Sequence, residues 1–116
     1  MANAQRGEIC AVFEGEERVL CLTLGALAEL ESVFGVEDLG ALAAYFAAGR
    51  LKAKDLVRVI GAGLRGGGNL FPDEEVAGMN IEGGVAGCAR IATELLEAAF
   101  SDGLGTREKE AGTPRP

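Results

Sequence analysis

The run Gly61-Ala-Gly63-Leu-Arg-Gly66 matches the G-x-G-x-x-G pattern that holds a dinucleotide pyrophosphate. That chemistry needs a strand before the glycines and a helix starting at them, so that helix amides meet the phosphates. Here residues 55–64 have helical spacing, and the glycines lead into a loop and Pro72 with no βαβ unit around them. They are read as glycines of close helix packing followed by a helix stop. No nucleotide or other cofactor is expected.

Cys10, Cys21 and Cys88 are the other residue types able to do chemistry. Three scattered cysteines make no disulfide framework and carry no metal-ligand spacing, so no metal site is expected. Cys10 and Cys21 flank a turn. If Gly15-Glu16 form that turn, the two thiols face each other across a hairpin; if Glu14-Gly15 form it, Cys10 faces Val19 instead. The first register is preferred because it also sets Ile9 against Leu22 and Ala11 against Leu20. Without a C-x-x-C motif or a neighbouring base, both cysteines are read as small apolar side chains of a sheet face.

Among the acids, Asp73, Glu74 and Glu75 lack the alternating ligands of a calcium loop, and their place behind Pro72 suits a helix N-terminus. Arg90, Glu94 and Glu97 read as a solvated helix face. Arg50, Lys52, Lys54, Arg58 and Arg65 form the one basic stretch, opposed only by Asp55; it reads as an exposed helix surface or a contact for an acidic protein segment, and the total charge argues against a phosphate backbone there. The chain contains no histidine. That removes Ser-His-Asp and Cys-His catalysis, the H-E-x-x-H metalloproteases and nearly all catalytic zinc sites. A net charge of −7 weighs against nucleic acid and gives no general attraction to anionic membranes.

The elements that position these residues follow from periodicity. Ile9–Phe13 and Arg18–Leu22 are β-prone runs and form a hairpin, whose free edges would accept a further strand. Thr23 caps a helix bearing Leu24, Leu27, Leu30 and Phe34, stopped by Gly35 in the left-handed region. A second helix starts at Asp38, carries Leu39, Leu42, Ala43 and Phe46, and ends near Gly49. A third starts near Lys54 with Leu56, Val57, Ile60 and Leu64 inside. A short one opens with Pro72 and stops at Gly78. The last spans residues 81–100, with Ile81, Val85, Cys88, Ala92, Leu95 and Ala99 on its inner face. Gly83, Gly84 and Gly87 at its start cost roughly 1 kcal/mol each against alanine, which something must offset.

The fold class expected is therefore α+β: an N-terminal β-hairpin followed by a bundle of four to five helices. Residues 1–7 read as a flexible N-terminus, 8–100 as one domain, and 101–116, rich in Gly, Thr, Pro and charge, as a disordered tail. The start of the chain is polar, and no run of about 18 apolar residues occurs. A soluble cytoplasmic protein with reduced thiols is expected, one that binds another protein and is not an enzyme.

Arg6-Gly7-Glu8 leading into the hairpin, Leu22-Thr-Leu-Gly-Ala-Leu-Ala-Glu-Leu-Glu31, Asp38-Leu39, Gly61-Ala-Gly-Leu-Arg-Gly-Gly-Gly-Asn69 and the closing Glu97-Ala-Ala-Phe100 occur in that order. Together they resemble the small tail proteins of gene transfer agents and related siphophage-like elements, a family labelled both tail tube protein and phage tail assembly chaperone. The resemblance implies no catalytic residues. It implies a partner among tail proteins, foremost the long helical tape-measure protein, which a small acidic chaperone would keep soluble until tube subunits replace it. The alternative it implies is a structural subunit of the tail, able to form homo-oligomers and retained in the particle. Leu51, Leu70 and Phe71 are the candidate partner-binding residues.

Overall fold

The computed structural model describes residues 7–100 of the 116-residue chain. A hairpin of β1 (Glu8–Phe13) and β2 (Glu16–Cys21) precedes α1 (Leu24–Phe34), α2 (Leu39–Ala47), α3 (Ala53–Gly66), α4 (Asp73–Ala77) and α5 (Gly84–Phe100). The α+β architecture of a hairpin followed by five helices is the one expected. Of the segments read as a flexible start, 1–7, and a disordered tail, 101–116, only Gly7 is among the described residues, as a buried turn residue; the rest lie outside them.

The hairpin register is the one not preferred. Cys10 pairs with Val19, Ile9 with Leu20 and Phe13 with Glu16, so the turn is Glu14-Gly15. Both turn residues are left-handed, Glu14 at φ 54° and Gly15 at φ 80°, as a two-residue type I′ turn requires. Glutamate is a poor residue for that conformation, and tertiary contacts hold it there. The Glu14 amide donates to the Asn80 carbonyl at 2.8 Å, and the Asn80 amide donates to the Glu14 carboxylate at 2.8 Å. Cys10 and Cys21 are therefore diagonal neighbours rather than opposite ones, and no disulfide joins them.

Phe13 and Leu20, fully buried, lie on the sheet face that packs on the helices. Each strand edge, expected to be open, has one carbonyl engaged from within the chain. On β2, the Val19 carbonyl accepts from the Asn69 side-chain amide at 2.8 Å. On β1, the Val12 carbonyl accepts from the Glu82 amide at 3.1 Å, and Phe13 makes a bridge to Ile81.

The helix caps follow the sequence closely. Thr23 Oγ1 accepts from the Ala26 amide at 3.1 Å and Asp38 Oδ1 from the Ala41 amide at 2.8 Å. Gly35 closes α1 at φ 68°. α3 begins at Ala53, and Asp55 reaches back to the Lys52 amide at 3.0 Å. Pro72 caps α4 from just outside it, and Gly78 follows its last residue.

The inner faces differ at five positions. Leu24 sits in the first turn of α1, beyond the edge of the core, and is exposed. Leu56 and Val57 are half-buried on α3, and Val59 fills the core place that they were expected to share. α5 starts at Gly84 rather than residue 81, because Gly83 and Gly84 both adopt positive φ, 92° and 63°, and turn the chain. Ile81 is thus spent on the bridge to Phe13, and Val85 emerges into solvent while Ile91, Ala92 and Leu95 are buried. The cost of the glycines is offset by that turn and by Gly87, whose missing Cβ leaves room for the Glu82 carbonyl.

Candidate functional site

The glycine run builds packing and no phosphate cradle. It lies in the second half of α3, and each glycine faces a different neighbour. A Cβ on Gly61 would meet the Asp73 carboxylate, one on Gly63 would meet Leu95, one on Gly66 the Cys21 carbonyl, and one on Gly67 the Val19 carbonyl. α3 can therefore lie flush on β2, with α4 and α5 against its other sides.

Arg65 ties the same region together. Its guanidinium donates to the Phe71 carbonyl at 2.7 Å, to Asp73 Oδ1 at 3.0 Å and to the Glu29 carboxylate of α1. Beside it, Arg18 donates to Asn69 Oδ1 at 3.1 Å and lies 5.0 Å from the centre of the Phe71 ring. Arg18 thus holds loop 67–72 on the hairpin, and Arg65 ties the loop and α4 to α1. Among the described residues, no three His, Cys, Asp or Glu side chains converge as metal ligands. No described helix is long and apolar enough to cross a membrane.

The three candidate contact residues do not form one patch. Leu51 precedes α3 and Leu70-Phe71 follow its C-terminus, roughly 20 Å away at the rise of a helix. Leu51 is half-buried beside Phe46, Leu96 and Phe100 in a groove of about 270 Å³ between α2 and the end of α5. Leu70 is 80 % exposed, whereas Phe71 is half-buried beneath Arg18.

A second groove, of about 330 Å³, was not anticipated. It runs between the first half of α3, α4 and the start of α5, and its apolar lining includes Leu56, Val57, Met79, Ile81, Val85 and Cys88. The signal in the sequence was the pair of glycines before Val85, which delay the helix and swing that valine outward. Burial in this lining pushes the Cys88 thiol above its usual range.

Near the N-terminus of α3, Tyr45 stacks among Phe34 and Phe46, with centroids 4.8 and 5.3 Å away, and donates to Asp55 at 3.2 Å. Desolvation, then the charge of Asp55 and its hydrogen bond, raise the phenol above its usual 10.0. The folded state thus holds this proton more tightly than the unfolded chain does. The stability it contributes is complete below pH 10 and is lost as pH rises through the raised value. Tyr45 is the chain's only tyrosine, so ultraviolet titration of the phenolate reads it alone. Asp55→Asn is expected to bring the midpoint down towards 10.

What places this arrangement among known proteins is a family model described as phage tail tube protein, GTA-gp10, which matches residues 6–102. The chain belongs to this family. Among curated proteins and among solved structures, nothing matches. The GTA-gp10 family is a family of phage tail proteins and not of enzymes.

Proposed function

We propose that this GTA-gp10 family protein is a tail assembly chaperone that binds the tape-measure protein and keeps it soluble until the tail tube closes around it. The observation that carries the reading is the division of the surface. Each hairpin edge has a carbonyl engaged from within the chain, Val12 on one strand and Val19 on the other, while two apolar grooves between helices stand open. A tube wall closed by β-sheet needs strands that pair from subunit to subunit. The engaged carbonyls interrupt such pairing, and open grooves between helices suit the apolar stripes of a helical client. Leu51 in one groove, and Leu70 with Phe71 at the far end of α3, are proposed as contacts at its margins.

The family description favours a second reading, a structural subunit of the tail tube. Co-expression with the tape-measure protein of the same gene cluster separates the two. The chaperone reading expects more soluble tape measure, a co-eluting complex and mature particles without this chain. Unchanged solubility with stoichiometric chain in the particles overturns it and establishes the tube subunit.

A further inference from the structure

The groove between α3, α4 and the start of α5 lies beside the only unpaired positive charge on the described surface. Arg18, Arg58, Arg65 and Arg90 each face a carboxylate within 4.0 Å. Arg50, Lys52 and Lys54 are the described cations that do not. Lys52 and Lys54 flank Ala53, which lines the groove. Lys54 also lines the shallow depression that continues the groove past Val57 and Ala77. On a chain of net charge −7, these three cations without partners put positive charge at the start of α3 beside an apolar trough, with Asp73 and Glu74 of α4 across the adjoining depression.

We propose that this groove receives an amphipathic helix of a partner protein, with its apolar stripe in the trough and its flanking carboxylates on Lys52 and Lys54. The proposal deepens the binding role above and names its face and the chemistry of its occupant. A helix fits better than a strand because the groove walls are helices and present no backbone edge; apolar anchors at i, i+3, i+4 and i+7 would enter it. A second copy of the chain is a poor occupant. Its helices have buried their apolar faces in the core, and its exposed large side chains (Leu24, Val33, Tyr45, Leu70 and Val85) lie singly, without a helical stripe. Complementary charge on the rim sets orientation and partner choice, while the apolar trough supplies most of the affinity.

Two synthetic helical peptides test this on the full chain. They share one leucine stripe and differ only in flanks, glutamate in one and lysine in the other. The glutamate peptide is expected to bind about tenfold more tightly at low salt, with the gap narrowing as salt is added. It should also slow alkylation of Cys88 in the groove, read by mass spectrometry of that peptide fragment. Val85→Glu, at a position 79 % exposed and so safe for folding, should weaken both peptides about tenfold. Lys52→Glu with Lys54→Glu should reverse the preference. Equal binding of the two peptides, unchanged Cys88 alkylation, or unchanged affinity in these variants overturns the proposal. So does tighter binding of a polyuridylate strand than of the glutamate peptide, which would indicate a polyanion site.

The co-expression assay keeps this proposal distinct from the chaperone role. If the Val85→Glu chain still solubilises the tape measure, the chaperone reading stands and the groove is not its binding face. If the peptide results hold but the tape measure stays insoluble, the groove stands and its client is another tail protein.

Discussion

Alanine at Gly66 or Gly67 is expected to destabilise the chain by about 3 kcal/mol, a cost at the upper end for overpacked sites. At both positions the added Cβ would run into main-chain carbonyls of β2, those of Cys21 and Val19. A side-chain neighbour can change rotamer, but a strand carbonyl cannot move without shifting the sheet. α3 would have to lift from β2, carrying Asn69 away from the Val19 carbonyl and breaking the contact that covers this edge. Gly40→Ala is the control. Its Cβ would meet only the Asp38 carboxylate at an ordinary 3.5 Å, and it sits within α2. There alanine should stabilise the helix by about 0.5–1 kcal/mol. Urea denaturation of the three variants measures both signs. A Gly66 or Gly67 variant as stable as the parent would mean that α3 does not lie flush on the hairpin.

Phe13→Ala is expected to cost about 3–5 kcal/mol. The ring is fully buried, at the end of β1 where Ile81 bridges to the strand and where Glu14 and Asn80 exchange hydrogen bonds. Its removal leaves a cavity under the junction between the hairpin and the approach to α5. For a domain whose whole stability is about 5–15 kcal/mol, that is a large part of the total. Val12→Ala is the companion variant, one residue away on the opposite sheet face and half-buried. It should lose far less. Thermal denaturation compares them, and hydrogen exchange at Glu82, which donates to Val12, should rise first in the Phe13 variant. Equal losses in the two variants would show that the sheet packs on the helices through the other face.

The fold was legible where local chemistry decides it. Thr23 and Asp38 cap their helices, Gly35 and Gly78 follow helix ends, and α3 stops in its triple glycine, each for reasons contained within a few residues. The hairpin was legible too, but its register was not. The two candidate registers differ by two residues along a strand, so the alternation of side chains between faces is the same in both. The choice fell to Asn80, 66 positions beyond Glu14, which clamps the turn.

The candidate site shows the same limit more strongly. Absent histidine and scattered cysteines already excluded most catalytic chemistry, and the order of segments already pointed to the tail-protein family. The groove was hidden because its lining comes from three helices and a loop, and because Val85 and Val57 keep helical spacing and resemble core residues. Only the positive φ at Gly83 and Gly84 shows that Val85 faces outward. Likewise the basic stretch of residues 50–65 was visible as composition. Its division into committed arginines, Arg58 and Arg65, and unpaired Arg50, Lys52 and Lys54 depends on where the carboxylates of α1 and α4 fall. Sequence alone settled the elements, their caps and the absence of histidine chemistry, since these depend on residue type and near neighbours. Tertiary structure alone decided the register, the glycine contacts and the open groove, since each depends on residues that only folding brings together.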